Sequence, residues 1–241
     1  MSGTRWTRIM AVACAMLFAG GTVAVAGGAT IKGKINWEGK PYRGKKMKNM
    51  NKQCKGFNSD GLPRKQSIVT NENSTLKNVL VFVKNAPKGD YPVPSEKVVL
   101  NQVGCLYKPH VLALQVGQTL EIHNGDPTAH NVHFMPKRNK EFNKSQPKKG
   151  LVDRMVFKRA EVMVPVKCDV HPWMNAFVGV FDHPFFSVTA DDGAFEINGL
   201  PGGTYTIEAK HEKYGSKTME VTVATDETKE IEFKFSRADK K

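Results

Sequence analysis

Three side chains with soft donor atoms crowd into one short stretch, Lys167-Cys168-Asp169-Val170-His171-Pro172-Trp173-Met174. Cys168, His171 and Met174 offer a thiolate, an imidazole and a thioether at Cys-x2-His-x2-Met spacing. Soft sulfur beside imidazole selects copper, and on one tight loop the three donors can converge on a point. A trigonal site of two imidazoles and a thiolate needs a second histidine. His130 is the candidate, in Ala129-His130-Asn131-Val132-His133-Phe134, 38 residues before Cys168 and so on another strand. Zinc accepts the same cysteine and histidine donors and is the rival metal. His110, His123 and His183 show no spacing specific to a second site, and His133 is expected in a supporting or surface role.

The elements that must carry these residues are strands. Short β-prone runs recur with turn signals between them: Leu76–Val83, Val98–Leu100, Val111–Val116, Leu120–His123, Glu161–Val166 and Phe177–Phe181. Five more follow at Phe185–Val188, Ala194–Ile197, Thr204–Ala209, Met219–Val223 and Ile231–Phe235. In Thr204–Ala209 the residues Tyr205, Ile207 and Ala209 fall on one face, a half-buried strand pattern. No segment keeps a helical period, and the expected class is all-β.

The two ligand stretches resemble the cupredoxins, the blue-copper electron-transfer family, and among them the amicyanin type. His130-Asn131-Val132-His133-Phe134 matches the amicyanin His-Asn-Val-His-Phe string. Cys168-x2-His171-Pro172-Trp173-Met174 matches its short ligand loop, with Trp173 where amicyanin has phenylalanine. The likeness runs from about Val111 to Phe181. It implies a Greek-key sandwich with one type 1 copper centre. Equatorial ligands would be His130, Cys168 and His171, with Met174 as the weak axial ligand. It also implies that Asn131 hydrogen-bonds across to the ligand loop and steadies the thiolate, and that the edge of His171 faces solvent as the electron port. The residues from the expected cleavage site to about Val111 precede the recognisable part; they are expected to supply its first strands and an insertion.

The other cysteines are read through the compartment. Residues 1–26 carry Arg5 and Arg8, a short apolar stretch and a small-residue site at Ala24-Val25-Ala26. That is the pattern of a secretory signal cleaved near Ala26, which places the mature chain in a periplasm or otherwise outside the cytoplasm. The mature chain then has no transmembrane segment. Cys54, Cys105 and Cys168 remain. With Cys168 committed to metal, a Cys54–Cys105 disulfide is expected; two free buried thiols are the alternative.

Formal net charge is +13. Residues 32–55 hold nine Lys/Arg against one Glu, and residues 137–149 hold six against one. The second stretch, Lys137, Arg138, Lys140, Lys144, Lys148 and Lys149, is expected to flank the port and dock a redox protein with an acidic surface, such as a cytochrome or dehydrogenase. An exported chain without an aromatic-basic motif is not a nucleic-acid binder.

Charge changes sign near Asp182-His183-Pro184, with residues 183–241 carrying 8 basic and 11 acidic side chains. The expected domains are 27–182, cupredoxin-like with an N-terminal extension, and 183–241, a small β-sandwich. Thr189–Ile207, with its Asp192-Gly193 hairpin and Leu200-Pro201-Gly202-Gly203 turn, resembles the carboxypeptidase regulatory-like, transthyretin-like sandwich. No zinc-peptidase motif accompanies it, since His211-Glu212 lacks the second histidine. The expected function is a single-electron carrier and not an enzyme. The alternative is a copper storage, delivery or structural module without redox turnover.

Overall fold

The computed structural model describes residues 27–240; the expected export signal, residues 1–26, lies outside them. Sixteen strands follow in order. They are β1 (Ala29–Glu38), β2 (Leu80–Val83), β3 (Val98–Gln102), β4 (Tyr107–Lys108), β5 (Val111–Gln115), β6 (Thr119–Asn124), β7 (His130–Phe134) and β8 (Phe142–Gln146). Then come β9 (Val152–Val156), β10 (Glu161–Lys167), β11 (Asn175–Phe181), β12 (Phe186–Val188), β13 (Ala194–Leu200), β14 (Gly203–His211), β15 (Gly215–Val223) and β16 (Thr228–Ser236). A short α-helix, α1 (Lys52–Gly56), is capped by Asn51, whose side chain accepts the Cys54 N–H at 2.8 Å, and a 3-10 turn at Arg237–Asp239 follows β16. The all-β class read from the sequence is the class observed. Among the described residues no helix is long and apolar enough to cross a membrane.

The strands form four sheets in two sandwiches. A five-stranded sheet, β5-β11-β10-β7-β8, faces a four-stranded one, β4-β3-β6-β9. Their inner faces share a core that includes Leu100, Leu120, Ile122, Val132, Phe134 and Val178. The other pair is β13-β1-β16 against β12-β2-β14-β15, closed around Ile31, Ile35, Trp37, Ile207, Phe233 and Phe235. Tyr205, Ile207 and Ala209 point into this second core together, as their alternation requires.

The division of the chain differs from the boundary read at residue 182. β1 and β2 belong to the second sandwich, not to the one formed by β3 to β11. Residues 183–241 supply five of the seven strands of that sandwich. β1 fills the gap between β13 and β16, antiparallel to one and parallel to the other. Its alternation sends Ala29, Ile31, Ile35 and Trp37 inward, and Gly33 permits the close approach of β16, because a Cβ there would sit 1.7 Å from the Ile231 carbonyl oxygen. β2 pairs with β12 and β14.

All four residues of β2 are buried, the pattern of a strand covered on both faces. Val81 and Val83 enter the second core, whereas Leu80 and Phe82 pack with Val111 and Phe181 in a small cluster that joins the sandwiches. The first sandwich, β3 to β11, is therefore nested in the sequence of the other. Of the N-terminal extension, the stretch between β1 and β2 supplies the insertion; it passes over the ligand end of the first sandwich.

Ile35 is fully buried at the centre of the three-stranded sheet. Ile35→Ala should lower the unfolding free energy by about 2–5 kcal/mol in a denaturant titration. A loss below about 0.5 kcal/mol, the scale of a surface substitution, would contradict the central place of β1.

Candidate metal centre

The site sits at one end of the five-stranded sheet. His130 is the first residue of β7. Cys168 to Met174 form the connection between β10 and β11, which pair from Lys167 with Asn175 upward. Two backbone hydrogen bonds tighten that loop, Cys168 N–H to the Met174 carbonyl at 3.3 Å and Met174 N–H to the His171 carbonyl at 2.8 Å. The strand pairing and the short loop thus bring the two ligand stretches together.

The donor atoms of His130, Cys168 and His171 lie within 4.8 Å of one another, and all three side chains are buried. The Nδ1 atoms of His130 and His171 are 3.0 Å apart. Cys168 Sγ is 4.0 Å from His171 Nδ1. Two lone-pair nitrogens at that separation require a proton or a cation between them. A single ion held by bonds of about 2.0–2.3 Å spans donor pairs of this size. Met174 is buried in the same core cluster as Cys168.

Each imidazole is oriented by its other nitrogen. His130 Nε2 lies 2.9 Å from Asp126 Oδ2. An ionised carboxylate only accepts, so Nε2 carries the proton and Nδ1 is left for a metal. His171 Nε2 faces Cys54 Sγ at 3.5 Å, which likewise turns Nδ1 inward. The Asn131 backbone N–H points at Cys168 Sγ at 3.4 Å, and the Asn131 side-chain oxygen accepts the Asp169 N–H at 3.0 Å. Tyr107 donates its hydroxyl to the carbonyls of Asn131 and Lys167, at 2.5 and 3.0 Å, and so clamps both ligand strands.

The electrostatics suit a metal. Burial, the largest influence on Cys168, raises its pKa, but hydrogen bonds from His130 and from the N–H groups of Asn131, His171 and Val170 outweigh it and hold the thiol below its ordinary value. Burial also pushes hardest on His130, downward, yet Asp126 and Cys168 keep it above the usual imidazole value. His171 is lowered, first by burial and then by the charge of His130. These shifts favour the thiolate of Cys168 and the neutral form of His171, while Asp126 and Cys168 favour a proton on His130 that a metal at Nδ1 would displace.

Cys54 and Cys105 form a disulfide, as the cysteine arithmetic expects, and Cys168 is the free, buried cysteine. Its position was not foreseen. The disulfide lies against the outer edge of His171, which is only 3% exposed. The solvent-facing His171 port implied by the family likeness is thus absent, because α1 and the loop after β3 cover the ring. Trp173, half-buried, lies tilted beside His171 at 5.0 Å between ring centroids and donates its indole N–H to the Cys105 carbonyl at 3.2 Å.

Asp126 escaped the sequence reading altogether. Besides holding His130, it accepts the N–H groups of Gly104 and Cys105 at 2.7 and 2.8 Å. Both residues have positive φ, 68° and 55°, which aims successive N–H groups at one carboxylate. Its only local signal is an acid four residues before His130, in the turn Asn124-Gly125-Asp126-Pro127.

Other histidines lie apart from this cluster. His110 bonds Glu212 and the Asn175 carbonyl, His123 bonds Glu121, and His183 accepts the Phe185 N–H. His133 bonds Asp169 and Glu141. Of the 137–149 stretch, Arg138 and Lys140 line a groove formed with Met155 to Arg159, and no residue of the ligand loop lines it. Lys144, Lys148 and Lys149 are exposed.

Residues 171–236 match the family model of the carboxypeptidase regulatory-like domain. Among solved structures the chain is similar to a methionine-to-alanine variant of amicyanin in its Cu(I) form, with 24% identity over 42% of this chain and 97% of that one, at a TM-score of 0.32. It is similar to a purple cupredoxin from Nitrosopumilus maritimus, with 25% identity over 35% of this chain and 97% of that one, at a TM-score of 0.30. It is also similar to a copper-containing nitrite reductase from Thermus scotoductus SA-01, with 24% identity over 42% of this chain and 25% of that one, at a TM-score of 0.31. No curated protein sequence matches the chain. Both resemblances read from the sequence recur among these matches.

Replacing both Cys54 and Cys105 by alanine opens a 51-residue loop. The loss expected from chain entropy is about 4 kcal/mol. His171 should become reactive towards diethyl pyrocarbonate, read by peptide mass, while it is protected in the unaltered protein. Equal labelling of the two would show that the disulfide does not shield the ring.

Proposed function

We propose that this chain is an exported blue-copper protein that carries single electrons between redox partners. His130, Cys168 and His171 would hold one copper ion, with the Met174 thioether as the weak fourth donor. The observation that carries the reading is the convergence of the His130 and His171 Nδ1 atoms on Cys168 Sγ in one buried cluster. Two imidazoles, a thiolate and a thioether favour copper over zinc, which is better served by a fourth hard or thiolate ligand. Copper in such a set supplies one-electron chemistry, Cu(II) to Cu(I) and back.

The chain's own residues make that exchange easy by holding still. Asp126 fixes the plane and tautomer of His130. Asn131 ties the Cys168 turn to β7, and Tyr107 joins β7 to β10. The disulfide excludes water from the outer edge of His171. A donor set that cannot rearrange fits electron transfer, which needs little motion between oxidation states. The same burial disfavours metal delivery, which requires an open route for ligand exchange. The buried disulfide agrees with an oxidising compartment, and thus with export.

The mature protein loaded with Cu(II) should show an intense visible thiolate-to-Cu(II) band and a blue-copper EPR signal. Both should vanish in Cys168→Ser. A colourless protein that takes up Zn(II) or Cu(I) instead would end the carrier reading.

Asp126→Asn should keep the visible band and lower copper affinity about 10–100-fold, because the outer partner of the ligating histidine is weakened. Competition against a chelator measures it. Unchanged affinity would remove Asp126 from its assigned role.

A further inference from the structure

With His171 covered, an electron needs another side chain to reach the surface. Trp173 is the ligand-loop residue placed for it. Its ring lies 5.0 Å from the His171 ring, and it is half-buried. On its outer side it lines a groove of about 590 Å³ with Lys45, Lys46, Lys48, Arg64 and Lys65. All five of these cations are exposed. Met47 and Met50, which line the groove as well, are buried beneath them in the core of the metal-binding sandwich. The result is a groove floored by Met47, Met50 and Trp173, the one member of the Cys168–Met174 loop that lines it, with a cationic rim.

The charge around this groove is one-sided. Residues 40–66 carry nine Lys/Arg and a single acid, Asp60. Among the described residues only Arg43 of these cations forms an ion pair, with Glu72. An uncompensated cationic rim costs the fold self-repulsion, and what it provides is a field that steers anionic surfaces to one orientation. The groove beside the 137–149 stretch has cations too, but no ligand-loop residue lines it. A partner docked there would meet Arg138 and Lys140 without touching the loop.

We propose that the redox partner is a protein with an acidic face that docks on the 45–65 insertion over Trp173. This rests on the electron-carrier reading above. One electron crosses in each encounter: the partner's one-electron centre is oxidised as this site is reduced, or reduced as it is oxidised, with no atom or proton transferred. The disulfide that seals His171 also anchors the insertion that bears the cations. Docking surface and site closure are therefore built from one segment.

The test uses the copper-loaded full mature chain and plant-type ferredoxin, a small acidic redox protein, as the probe. Binding is read by calorimetry at low and high ionic strength. The Trp173 indole N–H resonance, followed with the protein in its diamagnetic Cu(I) form, reports the place of contact. Lys45→Glu/Lys48→Glu/Lys65→Glu should weaken binding at least about tenfold and flatten its salt dependence. Lys144→Glu/Lys148→Glu/Lys149→Glu should change it less than about twofold, and the Trp173 signal should shift or broaden on binding. The proposal is overturned if the two triple variants lose affinity equally, or if the second loses more. It is also overturned if ferredoxin leaves the Trp173 signal untouched or does not bind. Binding to phosphatidylglycerol vesicles that the first triple variant abolishes, without ferredoxin binding, would assign the rim to a membrane surface instead. Calorimetry does not depend on colour. A protein that binds ferredoxin at the rim but shows no thiolate-to-Cu(II) band would fail as a carrier, whereas a blue protein without rim binding would fail only here.

Discussion

The Asp126 carboxylate is the contact on which the architecture of the site depends. One oxygen accepts from Gly104 and the other from Cys105 and His130. A buried carboxylate is costly unless its acceptor positions are filled, and here they are filled by groups that must be held anyway. The two backbone N–H groups belong to the turn that carries one half of the disulfide. The imidazole belongs to the first residue of β7. Asp126 therefore sets the distance between the cover over the site and the strand beneath it. Cys105 adopts positive φ within that arrangement, a conformation with a small cost for a non-glycine residue that the two charge-assisted hydrogen bonds offset.

The second constraint is β2. Four buried apolar residues serve two cores at once, with Val81 and Val83 on one side and Leu80 and Phe82 on the other. The sandwiches cannot slide past one another without exposing this strand. A further tie runs from Glu212, in the turn after β14, to His110 and on to the Asn175 carbonyl, the residue after Met174. The second sandwich thus reaches the ligand loop through two buried polar side chains. It is a structural partner of the site as well as a separate packing unit.

What could be read from the sequence follows from how far each determinant reaches. The soft donor types at Cys168, His171 and Met174 lie on one loop, so spacing alone displays them. His130 and Asn131 show because their string is distinctive. Strand positions such as Thr204–Ala209 show through alternation, a local property. Asp126 does not show, because its importance arises only when the turn after β3 folds against the turn before β7. The covering of His171 is hidden for the same reason: Cys54 and His171 are 117 residues apart. The place of β1 depended on counting strands in a sandwich whose members are scattered along the chain. The charge reversal near residue 182 marks a change of surface, and a core can cross it unnoticed.

The nesting of one sandwich within the other bears on the order in which the molecule can assemble. β3 to β11 are contiguous and close over moderate separations. β1 must instead wait for β16, whose residues pair with it from Thr30 with Thr228 onward. Contacts between distant segments form slowly, because the intervening chain must first be ordered. The inner sandwich is then expected to consolidate earlier, and once it has, it shortens the effective span between β2 and β12 to the width of its own base. On this argument from contact separation the inner sandwich is the expected template, and the pairing of β1 with β16 is the clasp fastened last.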